Sequence, residues 1–495
     1  MSFKVVIKAP AKLYLDTKIT FINLLPERLK SKTLLKNQAK LSPIFESELK
    51  RQGFKPKKGG IFSFQDKQSL HILYFLDQPQ TPKFSRLEKS REIYNLCERF
   101  KSKNILVDLR DTQSMETDYL DSIASAFHSG QFQMPSFKSQ KASKKLSQKL
   151  NFLVPMDTYE ACKKQLVESI ALSEAGNEIR HLIALPANKL KPSDFHDYVK
   201  KKATEDGLKF QFHSFSKLQK MGAGAFCAVA QANPKSGAGI AQITYESNKK
   251  SDKHLILVGK GITFDTGGIN LKPGISMLGM KGDMGGAATA HSFLGIAKKL
   301  KWNLKITVLL AISDNKVSET AYQPDEVVTS LSGKTIEVIH TDAEGRMALA
   351  DTLHLASQLK PDLIIDFATL TGASVRAIGR SFSSVYTNQE KFNETLIAAG
   401  KASGERVWPF PMDEDYKRIL ESEVADIKQC APSGGCDHIE AAIFLREFVG
   451  KNIDWVHMDL SSAKSDGPLA HVKTKESGFG PRIITEFLKD QELIF

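Results

Sequence analysis

The sequence predicts an α/β protein whose larger, C-terminal domain has a central, mostly parallel sheet flanked by helices. From about residue 180 onward, short apolar runs alternate with stretches of helical periodicity, which is typical of helices packed on a parallel sheet. The 495 residues suffice for two or three domains with sizeable buried cores. The charge is also uneven, because most of the net charge of +13 lies before residue 150. These observations predict a basic N-terminal domain followed by a separate α/β domain.

The elements of the C-terminal part follow from short apolar runs and helical spacing. A strand is predicted after His254, where Leu-Ile-Leu-Val precedes a glycine-rich break at Gly259. Further strands and helices are predicted in alternation, with strands at residues 304–312, 335–339 and 363–367 and helices at residues 287–300, 346–359 and 439–449. Residues 159–183 have apolar positions at helical spacing and are predicted to bridge into this domain.

Charge sets the predicted domain boundaries. Residues 1–60 contain 14 Lys or Arg and 4 Asp or Glu, a net charge of +10, and a second basic run lies between Lys138 and Lys149. We therefore predict a basic N-terminal domain at residues 1–150, a linker helix at residues 151–185 and the larger α/β domain at residues 186–495. Clustered lysines can bind phosphate, but here they are not interleaved with aromatic residues and no nucleic-acid motif is present, which favours a solvated face.

Composition also bears on location. No apolar run approaches the roughly 20 residues that a membrane helix needs, and the first residues lack the apolar stretch of a signal sequence. The five cysteines are an odd and sparse set, as expected of reduced thiols. The sequence thus predicts a cytoplasmic protein without a membrane partner.

The most informative segment spans residues 335–351. It places Asp342, Glu344 and Arg346 on alternate positions, which share one face if the segment is extended. Two bare carboxylates held so close repel, and one would tend to take a proton, so a cation between them is one interpretation. The other is a polar strand-to-helix turn, in which Asp342 caps a helix beginning near Arg346.

A second segment supplies more acidic groups. Glycines surround Asp265 in residues 259–268 and Asp283 in residues 280–286, and glycine lets a backbone turn tightly or approach a bound group closely. The two segments share one position, because in each the acidic groups follow the carboxyl end of an apolar strand, where open α/β sheets build their sites. A phosphate loop is the alternative, but its full Gly-x-x-x-x-Gly-Lys-Ser/Thr pattern is absent.

Counting charge favours metal ions. Asp265, Asp283, Asp342 and Glu344 supply four negative charges, which two divalent cations would balance. Carboxylates with one amine suit zinc, manganese or magnesium-type ions. Lys260 could join them only as a neutral amine, because burial and nearby cations both lower the pKa of a lysine. The zinc-finger and His-Glu-x-x-His spacings are absent.

These motifs closely resemble the leucyl aminopeptidase (cytosol aminopeptidase) family. The likeness rests on several long motifs in order, at residues 221–231, 259–268, 272–273, 281–288, 341–346, 366–373 and 477–482. It extends from about residue 165 to the C-terminus. The resemblance implies a two-domain subunit with a smaller α/β N-terminal domain, and it implies assembly as a homohexamer.

The resemblance also implies a function. The protein would be a metal-dependent aminopeptidase that releases N-terminal residues, leucine and others, from peptides with a free N-terminus through a metal-bridged hydroxide. Two Mn²⁺ or Zn²⁺ ions per subunit would take part, the first held by Lys260, Asp265, Asp283 and Glu344 and the second by Asp265, Asp342 and Glu344. The alternative functions are a nucleic-acid-binding protein with secondary peptidase activity and an inactive relative, which is disfavoured because every charged motif position is filled.

Other roles follow from the same resemblance. Lys272 would stabilise the oxyanion of the tetrahedral intermediate, and Arg346 would hold a bicarbonate ion that carries a proton. Met280, Thr369 and Gly372 would line the pocket for the N-terminal side chain. Without the resemblance, Lys272 would be interpreted as a surface lysine and Arg346 as the partner of Glu344 or Asp351.

Three departures from the family pattern leave alternatives open. His340 stands where the family usually has Asn, either as a metal ligand or, as favoured, as a packed or hydrogen-bonded neighbour. Ser461 and Lys464 would make the pocket more polar if they face it. Residues 430–438 contain Cys430 and Cys436, which suggests a disulfide or a metal clip, against the favoured glycine-rich loop with reduced thiols near the cleft.

Overall fold

The computed structural model describes the chain in ten segments, apart from the side chains of residues 21–22 and 43–46. The segments are residues 1–8, 16–22, 43–66, 69–78, 80–112, 114–140, 146–249, 251–432, 435–460 and 465–494. Two compact units are present: Met1–Ser173 with Pro468–Lys473, and Glu174–Gly467 with Thr474–Phe495. Their division falls inside one continuous helix, Tyr159–Ala184. The domain boundaries expected from charge and periodicity stay predictions.

The first unit is built on a sheet that has six strands within the described segments. In chain order these are β1 (Ser2–Val6), β2 (Thr17–Ile22), β3 (Ile61–Gln65), β4 (Leu70–Phe75), β5 (Asn104–Asp108) and β6 (Lys149–Leu153). The helices are α1 (Pro43–Arg51), α2 (Lys83–Arg99), α3 (Glu116–Gln131) and α4 (Tyr159–Ala184). The strand order is β1-β6-β5-β2-β4-β3, and only the β3–β4 pair is antiparallel among these strands. Ile19, Val107 and Phe152 are fully buried in its core.

The second unit holds a larger sheet, which has eight strands in the described part of the chain, and a small three-stranded sheet. Its strands are β7 (Lys209–Ser214), β8 (Gly239–Glu246), β9 (His254–Asp265), β10 (Lys305–Asn315), β11 (Val327–Thr329), β12 (Thr335–Glu337), β13 (Leu363–Ala368), β14 (Ser383–Thr387), β15 (Val407–Pro409), β16 (Ile427–Lys428) and β17 (Asp454–Asp459). The large sheet has the order β15-β14-β17-β13-β9-β10-β8-β7, and the small one the order β11-β12-β16.

Helices flank this larger sheet. They are α5 (Pro192–Asp206), α6 (Phe215–Met221), α7 (Gly224–Ala230), α8 (Gly274–Met277), α9 (Gly285–Leu300), α10 (Glu344–Gln358), α11 (Gly372–Ile378), α12 (Lys391–Ser403), α13 (Asp437–Arg446) and α14 (Pro481–Asp490). Short 3₁₀ helices span Ala187–Lys189, Met280–Gly282 and Glu414–Leu420. The α/β class with a mostly parallel central sheet is confirmed, and the predicted alternation matches β10, β12, β13, α9, α10 and α13 to within a few residues.

The predicted break at Gly259 is wrong, because β9 continues through Gly259 and Gly261 to Asp265. The glycines serve close packing instead of a chain reversal. A Cβ at Gly259 would collide with the backbone of Ala287, and a Cβ at Gly286 would collide with the carbonyl of Phe367. The glycines thus let the start of α9 lie directly on the central strands, where any side chain would push the helix away.

The parallel strands β9, β10, β13 and β17 end at one edge of the sheet. Four polar residues lie at or next to these ends, namely Asp265, Asn315, Thr369 and Asp459. Carboxyl ends of parallel strands are where α/β sheets place their ligand sites. The fold therefore brings side chains from distant parts of the sequence to one edge.

Candidate metal centre

Four carboxylates and two lysines gather at this edge. Single carboxylate oxygens of Asp265, Asp342 and Glu344 lie within 4.8 Å of one another. The Nζ of Lys260 is 2.9 Å from Oδ2 of Asp283 and 2.8 Å from Oε1 of Glu344, so it links the fourth carboxylate to the group. All five residues predicted as metal ligands come together.

The sixth residue, Lys272, contacts two of these carboxylates. Its Nζ is 2.9 Å from Oδ2 of Asp265 and 2.5 Å from Oδ1 of Asp342. Lys272 is only partly exposed, so its interpretation as an ordinary surface lysine is wrong. Each lysine thus neutralises a different pair of carboxylates.

The predicted alternation of Asp342 and Glu344 along an extended segment is wrong. The helix α10 already begins at Glu344, with Ala343 as its N-cap. No side-chain hydrogen bond caps this helix start, so Asp342 is not the cap. The turn before α10 brings Asp342 beside Glu344, and the helix turns Arg346 toward other partners.

Fixed donors hold two of the carboxylates. Oδ1 of Asp265 accepts hydrogen bonds from the backbone N–H of Gly267 (2.8 Å) and from Nδ2 of Asn315 (2.9 Å). Oδ1 of Asp283 accepts one from the hydroxyl of Thr369 (2.7 Å), whose carbonyl accepts one from Lys260 (3.0 Å). Asn315 was missed by the sequence analysis, although its place just beyond the predicted strand 304–312 could have indicated it.

Burial and the nearby negative charges raise the pKa values of three carboxyls in this cluster. Burial raises the pKa of Glu344 to about 7 and that of Asp342 to about 6, and the charge of Asp265 contributes to both increases. Burial also raises the pKa of Asp283 well above its usual range. For Lys260, burial works to lower the pKa, but the charges of Asp283, Glu344 and Asp265 outweigh it and raise the pKa. Four carboxylates face only two lysines, so the cluster has an excess of negative charge.

The residues present fit divalent cations. Oε2 of Glu344 is buried and has no hydrogen-bond partner among the described residues, which is costly unless another group binds it. The donor set consists of hard carboxylate oxygens and one amine, which suit Mg²⁺, Mn²⁺ or Zn²⁺. The unpartnered oxygen of Glu344, surrounded by other carboxylates, is therefore available to bind a cation.

Arg346 contacts neither of its predicted ion-pair partners. Its Nη2 lies 2.6 Å from Oδ1 of Asp437, and its Nη1 donates to the carbonyl of Gln429 at 3.1 Å. The carboxylate of Asp351 instead accepts the backbone N–H groups of Phe226 (2.8 Å) and Leu331 (2.7 Å). Asp437 is a second residue that the sequence analysis missed, because 91 positions separate it from Arg346.

The three residues predicted to line the substrate pocket contact the cluster or lie within a few sequence positions of residues that belong to it or contact it. Met280 begins the 3₁₀ helix that precedes Asp283, Thr369 hydrogen-bonds to Asp283, and Gly372 begins α11. A Cβ at Gly372 would meet only Arg376, at 3.7 Å, so the space beside it is open. Ser461 and Lys464 lie outside the described residues.

Asp459 anchors the loop that carries Thr369. Its Oδ1 accepts the N–H of Leu370 (3.1 Å), and its Oδ2 accepts the N–H and hydroxyl of Thr371 (3.2 and 2.6 Å). Asp459 is fully buried at the end of β17. Since Thr369 contacts both Lys260 and Asp283, Asp459 indirectly positions two of the predicted ligands.

The structure supports the favoured interpretation for two of the departures. Nδ1 of His340 accepts the backbone N–H of Asp342 at 3.2 Å, so this nitrogen contacts the metal-ligand turn. All five cysteines are free thiols, and Sγ of Cys436 lies 3.7 Å from Oε1 of Glu440. Within the described segments, Cys430, Cys436 and His438 form no three-ligand group, and no helix there is long and apolar enough to cross a membrane.

In this two-unit α/β chain, buried carboxylates and lysines at the carboxyl ends of parallel strands form a donor set for divalent cations. The model of the cytosol aminopeptidase family, catalytic domain, matches residues 177–485. The chain belongs to this family. It is an aminopeptidase, a hydrolase of the leucyl aminopeptidase type, and the nucleic-acid-binding alternative is not favoured.

Relatives support the assignment over most of the chain. A probable cytosol aminopeptidase of Aquifex aeolicus (strain VF5) is 33% identical over 464 residues, which cover 92% of this chain and 93% of the relative. One from Pseudomonas fluorescens (strain SBW25) is 38% identical over 341 residues, 68% of each chain.

Solved structures of similar proteins agree. A mutant of tomato leucine aminopeptidase has a TM-score of 0.85 at 25% identity, covering 99% of this chain and 96% of its own. Cytosol aminopeptidase from Coxiella burnetii has a TM-score of 0.82 at 27% identity, covering 99% of each chain. The bottromycin maturation enzyme BotP in complex with Mn has a TM-score of 0.82 at 27% identity, covering 96% and 99%.

Proposed function

We propose that the cluster binds two divalent cations, Mn²⁺ or Zn²⁺, and that the protein uses them to remove N-terminal residues from peptides. The first ion would be held by Lys260, Asp265, Asp283 and Glu344, and the second by Asp265, Asp342 and Glu344. The observation that carries the proposal is the buried, unpartnered Oε2 of Glu344 inside a group of four carboxylates. The Mn complex of the similar enzyme BotP supports the choice of manganese.

Protons and metal ions compete for this cluster. The ammonium of Lys260 now lies between Asp283 and Glu344, and only a neutral amine can bind a metal ion. With its pKa raised to about 7, Glu344 is partly protonated near neutral pH in the metal-free protein, and Asp342, with its pKa raised to about 6, gains its proton at lower pH. Metal binding should therefore release protons.

We expect Mn²⁺ affinity to fall as the pH decreases from 8 to 6. Below about pH 7 Glu344 becomes protonated, and below about pH 6 so does Asp342. For each proton that the metal must displace, the affinity should fall by about tenfold for every unit by which the pH decreases. Calorimetric titrations at pH 6, 7 and 8, in buffers of different ionisation enthalpy, measure both the affinity and the protons released. An affinity independent of pH, with no proton release, would contradict the proposal.

The chemistry divides between the ions and the protein. Two divalent cations, when bound, supply a Lewis acid for the scissile carbonyl and lower the pKa of the attacking water. Lys272 would hold its ammonium beside the carbonyl oxygen as negative charge develops there. Its Nζ forms ion pairs with Asp265 and Asp342, so the ammonium is already held at the cluster before substrate binds.

Peptides with a free N-terminus are the proposed substrates. Their α-amine would be bound at the acidic cluster, while Met280, Thr369 and Gly372 would contact the first side chain. A Cβ at Gly372 would meet its nearest atom at 3.7 Å, so no neighbouring side chain is packed against this backbone position. An acylated N-terminus could not offer the amine and would be rejected.

The assay for this function compares leucyl p-nitroanilide with its N-acetyl derivative, with added Mn²⁺ or Zn²⁺ and with a chelator. We expect hydrolysis of the free-amine substrate only, and its loss on chelation. Equal hydrolysis of the acetylated substrate would exclude an aminopeptidase that recognises the amine, and undiminished activity after complete chelation would exclude the metal site.

We expect Asp459→Asn to weaken Mn²⁺ binding by about 10- to 100-fold, as for other residues that orient metal ligands. The change weakens the anchor of the Thr369 loop, and it should cost about 1.5–3 kcal/mol of folding stability, the range for hydrogen bonds to a charged group. Metal titration and thermal unfolding of the metal-free protein measure the two effects. Asp466→Asn, at an exposed position, is the control, and equal metal affinity in both variants would refute the role of Asp459.

Three further properties stay predictions from the family resemblance. These are assembly as a homohexamer, a cytoplasmic location and a bicarbonate ion at Arg346. The names of the relatives as cytosol aminopeptidases support the location, and light scattering would measure the assembly. The bicarbonate prediction must account for Asp437, which already contacts the guanidinium.

A further inference from the structure

Asp437 places a carboxylate of the protein on Arg346. Oδ1 of Asp437 lies 2.6 Å from Nη2 of Arg346, whose side chain is 3% exposed, whereas that of Asp437 is 36% exposed. Asp437 is the first residue of α13 and belongs to the stretch 430–438 that departs from the family sequence. The family resemblance implies that Arg346 holds a bicarbonate ion. In this chain the guanidinium is met by a carboxylate that is covalently part of the protein.

The second oxygen of Asp437 is available for chemistry. Among the described residues, none makes a hydrogen bond to Oδ2 of Asp437. One oxygen is therefore fixed by a buried arginine while the other lies at a partly exposed position. A general acid–base group needs this combination, because it must be oriented and yet able to take and give a proton.

The metal-ligand turn is fixed next to the residues that hold Arg346. Nδ1 of His340 accepts the backbone N–H of Asp342, and the backbone N–H of His340 donates to the side chain of Gln429 at 3.1 Å.

Hydrogen bonds through Gln429 link Arg346 to the metal-ligand turn. Its Nη1 donates to the carbonyl of Gln429. The side chain of Gln429 in turn accepts the N–H groups of Ile339 (3.3 Å) and His340 (3.1 Å) and donates to the carbonyl of Ala343 (3.0 Å). Arg346 and the turn that carries Asp342 are thus fixed to the same glutamine.

We propose that Asp437 is the acid–base residue of the reaction and takes the place that the family resemblance gives to bicarbonate. The inference rests on the proposed peptidase function. As the attacking water bonds to the carbonyl carbon, its O–H bond breaks and the proton moves to Oδ2 of Asp437. The acid O–H bond then breaks as the leaving nitrogen takes that proton, the C–N bond breaks with its electron pair on nitrogen, and Asp437 is again a carboxylate.

A tethered carboxylate has two advantages over a dissolved anion on Arg346. It is present at a high effective concentration, because the helix α13 already holds it in place. Its negative charge also repels a second anion from the same guanidinium. Wild-type activity should therefore need no added bicarbonate.

The test uses the full-length, metal-loaded protein in buffer freed of carbon dioxide. We expect wild-type kcat to be unchanged by bicarbonate, and Asp437→Asn to lower kcat by about 10²–10⁴-fold, the usual contribution of a general acid–base group, with little change in KM. In Asp437→Gly the space beside Arg346 opens, so bicarbonate or formate should restore much of kcat. Asp415→Asn, which removes an exposed carboxylate, is the control and should behave as wild type.

Two measurements other than activity accompany the test. Calorimetry should detect formate binding to Asp437→Gly and none to the wild type, and metal analysis should find the same metal content in all variants. Thermal unfolding shows that the variants are folded. A structural role alone would lower stability without anion rescue.

The outcomes separate this inference from the function on which it rests. Wild type that is active only with bicarbonate, Asp437→Asn with near-normal kcat, or an inactive, folded Asp437→Gly that no anion rescues would each overturn the role of Asp437. Wild type that fails to hydrolyse an unblocked substrate with Mn²⁺ or Zn²⁺ would instead overturn the proposed peptidase function.

Discussion

Glu344→Gln is expected to lower kcat on leucyl p-nitroanilide by more than about 100-fold, since even residues that only orient metal ligands contribute 10- to 100-fold. Glu344 is 1% exposed, shares the cluster with Asp265 and Asp342, and has an unpartnered oxygen. It is proposed to bind both ions, so a neutral amide should remove at least one of them. Metal analysis and steady-state kinetics check the two effects together.

The same substitution should not destabilise the metal-free protein. Burial raises the pKa of Glu344, which means that its charged form is disfavoured in the fold, and a neutral side chain removes that cost. Lost metal binding with unchanged or higher thermal stability is the expected pair of results. Metal binding and turnover that both survive the change would contradict the assignment of Glu344.

Glu405→Gln is the matched control. Burial also raises the pKa of Glu405 to about 7, but its Oε2 accepts the N–H groups of Gly480, Arg482 and Ile483 (3.0–3.1 Å). The amide oxygen of glutamine can still accept these bonds, so metal content and turnover should stay at the wild-type level. The two buried glutamates should therefore differ in metal binding, although burial raises the pKa of both.

Lys272→Met is expected to lower kcat by about 10²–10³-fold, or about 3–4 kcal/mol, the typical contribution of one donor to an oxyanion. Its ammonium is held on Asp265 and Asp342, from which it could reach the carbonyl oxygen of a bound peptide. The same contacts make it a competitor of the metal ions. Metal affinity should therefore stay equal or increase while turnover falls.

Kinetics and metal titration of Lys272→Met decide between two roles for this lysine. A fall in kcat with metal retained supports the oxyanion role. Loss of metal would show that Lys272 holds the carboxylates in place instead, and an unchanged kcat would show that it takes no part. Lys298→Met is a control, because Lys298 pairs with Asp206 at the surface.

Much of the site could be predicted because its residues follow a general rule of α/β sheets. Asp265 ends β9, and the carboxyl ends of parallel strands meet at one edge. Local geometry was harder. Alternation along an extended segment suggested the pairing of Asp342 with Glu344, whereas a turn before α10 produces it.

Contacts between distant segments could not be read from the sequence. Asp437 and Asp459 lie about 90 positions from the residues they hold, and no spacing rule links them. The function of the glycines was also hidden, because Gly259 and Gly286 look like turn residues until a helix is seen to lie on the sheet. The first unit carries few motifs, and its α/β fold was expected mainly from the family resemblance.

Stepwise addition of Mn²⁺ to metal-free protein, with bound metal and hydrolysis of leucyl p-nitroanilide followed in the same samples, tests the central claim most directly. We predict that turnover rises to its maximum only as the second ion per subunit binds. Full turnover with at most one ion per subunit, or with none, would contradict the dinuclear site.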